Sequence, residues 1–431
     1  MIKFIWGVCF RVHGEHIFEK KQAEMGLVSS VPVVPGIPNL GNTCYLNALL
    51  QALAACPTFV RFMRVHGKKS KSRKINEELK PFDAGHGDDP FFRSDNCTKD
   101  LNTDFINLFS DLLRQLSVPN VKNVAVVTKI SKFLQNIKKN LQSKKSSFLV
   151  NEQQDSLELL HLFYDMLELR LRYENYSGLS KARQPIKKGT TLAEVQKKLS
   201  KENIPISFKL IDKRVCQRCQ TRANIDLKSV GKSCHLSLYP STERKMGENF
   251  LYHSSFSPPT NDINAYLSEY FREEMLEGVE CTSVACDFLE SFGFPKPNSS
   301  KQLLLASCPQ VLCLHIQRLQ YFGAKGVQKD SSRFPIEKHI YINSEWIFDE
   351  RKGEGNAYAP PLKYDLKSII VHSQLTPTVG HYTTYRKSPS KNGEGDSEVW
   401  LLANDSIVVE VDWDTEVSRC EAYMLFYEKC V

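Results

Sequence analysis

"NLGNTCYLNALLQAL", residues Asn39 to Leu53, sets one cysteine in a small polar turn immediately before an apolar, helix-forming run. A buried structural cysteine needs neither the helix end nor the turn, whereas a nucleophile uses both. Thiol catalysis requires a stabilised thiolate, a base or imidazolium partner, and donors for the oxyanion that forms on the attacked carbonyl. Cys44 stands at the expected helix start, where the partial positive charge of the N-terminus favours an anion. Upstream, Asn39 carries an amide able to aim hydrogen bonds at an oxyanion, and Gly41 lets the backbone turn tightly. Taken alone, the same stretch also fits an inert core cysteine behind a turn.

A partner for the thiol lies far downstream. "VGHYTTYRK" (Val379–Lys387) puts His381 on an expected strand, and "EVWLLANDSIVVEV" (Glu398–Val411) carries Asn404 and Asp405 on the next. Hairpin pairing would bring Asn404 or Asp405 beside His381, where a side-chain oxygen accepts the Nδ1 proton and Nε2 is aimed at the thiol. Successive strand residues point to opposite faces, so only one of the two can face the imidazole.

The elements that must position these groups change along the chain. "VPVVPGIP" (residues 31–38) is an extended lead-in, and the Cys44 helix runs until Pro57 disturbs it. Residues 65–100 read as a charged variable loop, followed by helical segments near 101–117 and 125–142. In Asn151–Arg172, Leu157, Leu160, Tyr164, Leu167 and Leu171 recur at three- and four-residue steps, an amphipathic helix with Asp155 at its N-cap. Residues 175–203 are polar and lysine-rich. From 205 onward short β-branched and aromatic runs dominate, interrupted by a polar insert at 240–262 and a helix-like "DINAYLSEYFREEML". Helices in the first half and antiparallel-type strands in the second predict an α+β fold.

Bulk properties agree with a large core. The chain has 431 residues, a formal net charge of +8 and 41% hydrophobic residues. The positive charge is modest and spread out, so it does not argue for nucleic acid; the runs Gly67–Lys74 and Ile137–Lys145 read as solvated faces, with contact to an acidic partner or anionic membrane surface as the alternative. Thirteen scattered cysteines without a secretory signal fit a reducing, intracellular compartment. Ile2–Phe10 is apolar over only about half of the roughly 20 residues a spanning helix needs. It fits the end of a longer anchor, an interfacial anchor or a disordered apolar end.

Together, "NLGNTCYLNALLQAL", "NEQQDSLELL", "CLHIQRL", "GHYTTYR" and "WLLANDS…AYMLFYE" resemble the ubiquitin-specific protease family of deubiquitinating enzymes, in order from about residue 36 to 429. The resemblance implies a papain-like fold of thumb (about 36–203), fingers (about 204–290) and palm (about 291–430), with residues 1–30 as an N-terminal stub and linker. It implies ubiquitin and ubiquitinated proteins as partners and hydrolysis after the C-terminal glycine of ubiquitin. On it, Cys44 matches the nucleophile, His381 the general base and Asn39 the oxyanion asparagine. Asn404, four residues after Trp400, matches the third triad member, with Asp405 as the alternative. Gln154 and Asp155 match a pair that helps hold the thumb helix and the substrate tail.

No cofactor is expected for the cysteine chemistry, but a structural zinc is. "CQRC" (Cys216, Cys219) matches the first half of the family's fingertip site. Its second half reads "CTSVAC" (Cys281, Cys286), with four residues between the ligands instead of two; zinc hairpins tolerate about two to four. Cys308 and Cys313 read as core. Within the family the likeness is greatest to a member anchored in the mitochondrial outer membrane, which implies that location and membrane association through the N-terminus. Two other functions share the fold: a non-catalytic ubiquitin-binding scaffold, disfavoured by the intact Cys44, His381 and Asn404, and a protease for another ubiquitin-like modifier.

Overall fold

The computed structural model describes residues 34–71, 97–118, 128–137 in part, 154–181, 203–220, 231–239, 262–279, 281, 283–321, 327–349, 354–355, 359–376, 379–389 and 399–430. These belong to one unit, Val33–Val431. The N-terminal stub, most of the 65–100, 175–203 and 240–262 stretches and most of the basic run Ile137–Lys145 lie outside the described residues.

Helix α1 (Cys44–Ala54) is the hub, and every one of its residues is buried. A helix enclosed on all sides must satisfy its polar side chains within the protein. Helix α2 (Pro57–Lys71) follows at once: Pro57 opens a new helix, where its fixed φ and missing N–H cost nothing. Helix α3 (Cys97–Leu116), a helical stretch at 128–133 and helix α4 (Ser156–Lys181) complete the helical half. Phe105, Phe109, Phe133 and Phe163 lock this half together, with ring centroids 4.8–5.7 Å apart. Contacts of this kind combine large apolar burial with favourable ring geometry. Helix α4 runs past the expected end at Arg172, into the polar, lysine-rich stretch that begins at residue 175.

The second half forms two main sheets. In the first, strand β1 (Phe208–Cys216) pairs on one side with Lys232–Ser233 and on the other with Ser299–Ser307. Strand β2 (Leu236–Leu238) belongs to the larger sheet. Helix α5 (Ile263–Tyr270) is capped by Asp262, whose carboxylate accepts from Asn264 N at 2.8 Å. The helix expected over 262–276 stops at Tyr270, because Glu274–Leu276 becomes strand β3 paired with Ser299–Lys301. Helix α6 (Val284–Ser291) and strand β4 (Ser299–Ser307) follow.

The larger sheet adds strands β5 (Val311–Ile316), β6 (His339–Ile342), β7 (Leu362–Thr376), β8 (Val379–Lys387), β9 (Trp400–Asn404), β10 (Ile407–Val411) and β11 (Ala422–Lys429). Its order is β10-β9-β8-β7-β11-β5-β2, with β6 also on β7. The pairs are antiparallel except the edge pair β2–β5, which is parallel. Helix α1 packs on this sheet through hydroxyls as well as apolar groups. Thr384 Oγ1 donates to Ala48 O at 2.9 Å and Ser368 Oγ to Ala52 O at 3.0 Å. Cys313 is fully buried in β5, and Cys308 packs against the second core cluster, as expected of core cysteines.

Candidate active site

The register of the sheet brings the three distant residues together. His381 lies near the start of β8, opposite Ser373 of β7, and Asn404 is the last residue of β9. Asn404 Oδ1 lies 2.7 Å from His381 Nε2. The ring orientation expected from sequence is therefore reversed: Nε2 serves the amide, which leaves Nδ1 for the thiol of Cys44, its other hydrogen-bond partner. Burial of this ring works to lower its pKa. The hydrogen bonds to Cys44 and Asn404, with the charges of Cys44 and Asp405, outweigh that and hold His381 up to about 9. The imidazole is thus protonated at neutral pH, beside a cysteine only 4% exposed at the mouth of α1.

Asp405 does different work. It begins the two-residue turn between β9 and β10 with φ 49°. Its Oδ2 accepts from Asn39 Nδ2 at 3.1 Å and its Oδ1 from Asn47 Nδ2 at 2.7 Å, while its carbonyl accepts from Ile37 N at 2.7 Å. Asn404 is therefore the residue that the structure sets against the imidazole, and Asp405 ties the Asn39 loop to the same hairpin. Close approach is needed here: a Cβ on Gly36 would stand 2.2 Å from the Ser406 carbonyl oxygen, so only glycine lets the lead-in lie on this turn.

Asn39 is held at both ends of its amide. Its Oδ1 accepts from Gly41 N and Thr43 N, each at 3.1 Å, in a loop where Gly41 has φ 96°. One Nδ2 hydrogen goes to Asp405; the second is the one such a side chain can present to an oxyanion. The N–H groups of the first turn of α1 also lack intrahelical acceptors, as at any helix start.

Sequence reasoning missed the supports. Asn47 and Gln51, three and seven residues after Cys44, share a face of α1. Gln51 Nε2 donates to Pro35 O at 2.9 Å, and its Oε1 accepts from Arg386 Nη1 at 2.6 Å. Arg386 is 1% exposed, and burial lowers its pKa to about 10. Two amides at helical spacing in an otherwise apolar helix were the available signal.

Asp155 caps α4 as expected, its Oδ1 accepting from Leu157 N at 2.6 Å. Its other oxygen accepts from the Tyr423 hydroxyl at 2.6 Å. Tyr423 lies beside Tyr382, the residue after His381, which is stacked on His372 with centroids 4.0 Å apart. The cap thus reaches the strand that carries the histidine. Gln154 directly precedes the cap and is partly exposed.

The four fingertip cysteines converge. Cys216 closes β1 and Cys219 the turn after it; pairing of β1 with β4 brings in the segment carrying Cys281 and Cys286. The sulfurs of Cys219 and Cys281 are 3.5 Å apart, those of Cys216 and Cys286 3.8 Å, and all four lie within 4.8 Å of one another. A tetrahedral zinc with Zn–S of about 2.3 Å requires sulfurs roughly 3.8 Å apart. The donor set therefore fits a structural zinc, and helix α6 absorbs the longer spacing of "CTSVAC".

A helix-borne thiol, an imidazole and an amide across an antiparallel sheet define a papain-type thiol hydrolase. The chain belongs to the ubiquitin carboxyl-terminal hydrolase family, whose profile matches residues 35–427, and is a deubiquitinating cysteine protease. Ubiquitin carboxyl-terminal hydrolase 30 of Xenopus tropicalis is 23% identical over 96% of this chain and 83% of its own length. The human protein of that name is 23% identical, over 99% and 88%. Ubiquitin carboxyl-terminal hydrolase 44 of Danio rerio is 25% identical over 92% of this chain and 56% of its own. Among solved structures, the SAGA Ubp8/Sgf11/Sus1/Sgf73 DUB module bound to ubiquitin aldehyde has a chain with the same fold. It superposes with TM-score 0.60 at 18% identity, over 97% of this chain and 75% of that one.

Proposed function

We propose that Cys44 is the nucleophile, His381 its proton partner and Asn404 the group that orients His381, acting on the bond that follows the C-terminal glycine of ubiquitin. The observation that carries this is the Asn404–His381 contact, made with a ring whose other nitrogen serves Cys44. The thiolate adds to the glycine carbonyl carbon, and the oxyanion takes the spare Asn39 Nδ2 hydrogen and first-turn N–H groups. His381 then gives its proton to the leaving amine as the carbon–nitrogen bond breaks. Neutral His381 next takes a proton from water, whose oxygen attacks the thioester and releases the carboxylate and Cys44. A nucleophile 4% exposed admits only a slender extended chain, which suits a glycine-ended tail. The SAGA neighbour was solved with ubiquitin aldehyde, consistent with ubiquitin as the partner here.

The family's thumb, fingers and palm correspond on this reading to the α1–α4 half, the β1/β3/β4 sheet with α6, and the larger sheet. Gln154 and Asp155 line the approach of the tail, and the four fingertip thiolates hold zinc that fixes the end of the fingers. Similarity to ubiquitin carboxyl-terminal hydrolase 30 supports placing the protein at the mitochondrial outer membrane. Among the described residues no single helix is long and apolar enough to cross a membrane. The test is hydrolysis of ubiquitin conjugates by wild type and Cys44→Ala. The variant is expected to lose turnover while still binding ubiquitin, since the sulfur supplies bond-making and little contact area. Turnover near wild type would remove Cys44 from this role.

A further inference from the structure

Away from the thiol and the fingertip, a second group of metal-ligating side chains closes the seam between α4 and the edge strand β2. His161 projects from α4, while Cys234 and His235 immediately precede β2. His161 Nε2 lies 3.1 Å from His235 Nδ1, the two rings have centroids 4.8 Å apart, and one ligand atom from each of His161, Cys234 and His235 lies within 4.8 Å of the other two. We propose that His161, Cys234 and His235 form a binding site for a borderline-soft divalent metal ion of the zinc type, which staples the α4 helix to the edge of the large sheet.

Chemistry and placement both favour this. Two imidazoles and a thiolate are the donor set that zinc and cobalt(II) prefer, with one coordination position left for water or another ligand. Tetrahedral binding with Zn–N of about 2.0–2.1 Å needs nitrogens roughly 3.3 Å apart, close to the separation seen. Asp165, one helical turn beyond His161, exerts its negative charge on both His161 and Cys234, which favours a cation between them. The seam is already aligned on either side. Tyr164 Oη and Ser207 Oγ are 3.0 Å apart, and Lys232 Nζ pairs with Glu168 at 2.9 Å. A metal here completes a row that otherwise consists of a part-buried hydroxyl pair and a half-exposed ion pair, on the strand that ends the large sheet among the described residues. It acts on the helix whose first turn is capped by Asp155. Nothing in it depends on the assignment of Cys44.

Because the four fingertip thiols also take zinc, the experiment must count ions by variant. Full-length chain is loaded with Zn(II), freed of excess, and assayed for bound zinc beside Cys219→Ser, His161→Ala and the double variant. His161 is exposed and Asp165 with it, so His161→Ala leaves the core intact. The expected result is loss of one zinc equivalent in His161→Ala, whatever the occupancy of the fingertip, and a further loss with Cys219→Ser. Co(II) titrated into Cys219→Ser should give tetrahedral visible bands with a thiolate-to-cobalt charge-transfer band, both abolished by His235→Ala. Zinc content unchanged by His161→Ala, or no thiolate–cobalt band in Cys219→Ser, would overturn the site and leave His161 and His235 as a simple hydrogen-bonded pair.

Discussion

The Asn404 amide and the Cys44 sulfur hold a proton on an imidazole that burial would strip of it, and this sets the pH behaviour of the site. His381 is raised to about 9, so its charged form is fully present at neutral pH and is lost as pH rises through that value. The alkaline limb of kcat/KM is therefore expected near pH 9. Asn404→Ala removes one of the groups that raise the value. It should lower kcat/KM at least about tenfold and move the alkaline limb to lower pH. Asn404→Asp should retain activity and move the limb the other way, because a carboxylate stabilises imidazolium better than an amide does. A pH–rate series on these variants checks both signs; a crippled Asp405→Ala beside a mild Asn404→Ala would reverse the assignment. For Asn39→Ala, kcat should fall by roughly 10²–10³ with little change in KM, as for loss of one oxyanion donor. Steady-state kinetics separate that outcome from a rise in KM alone, which would make Asn39 a binding residue.

The elements around the site were legible in the sequence to different degrees, for physical reasons. Helix α1 could be read from its apolar run, broken only by Asn47 and Gln51, and Asp155 from its place before a periodic segment; both are local signals. The turn of helix into strand after Tyr270 was not legible, because pairing of β3 with β4 decides it from more than twenty residues away in sequence. Ring orientation at His381 was equally out of reach: residue order says that an amide can approach the imidazole, not which nitrogen it meets. The same holds for Asp405, whose left-handed backbone sends its carboxylate to Asn39 and Asn47. Gln51 shows what the buried supports contribute. Its Oε1 accepts from Arg386, a guanidinium 1% exposed that also donates to Leu116 O at 3.0 Å. Replacing it by leucine would suit an apolar core by composition, yet strand a charge. Gln51→Leu should destabilise the protein by about 1–3 kcal/mol, the usual scale for removing a hydrogen-bond acceptor from a buried group. Denaturant unfolding checks this; an unchanged or raised midpoint would show that Leu116 O alone suffices.

At the scale of the molecule, a helical half and a strand half meet along α1, so the thiol and its imidazole come from opposite ends of the chain and align only when both halves are folded. The fingertip lies outside that meeting, which predicts a separation of effects. In the His161→Ala background, Cys216→Ser should remove the remaining zinc and lower the melting temperature, while ester hydrolysis of a small thiol-reactive substrate persists. Elemental analysis and calorimetry together check it, and loss of that hydrolysis in a still-folded variant would tie the metal to the catalytic geometry. The central claim is that Cys44 is the atom that meets the ubiquitin carboxyl terminus. It is tested most directly by incubating the full-length protein with ubiquitin bearing a C-terminal electrophile and mapping the adduct by mass spectrometry. One adduct per chain on Cys44 is predicted, absent in Cys44→Ala and not formed by equivalent probes of other ubiquitin-like modifiers. An adduct on any other cysteine, or labelling that survives Cys44→Ala, would contradict it.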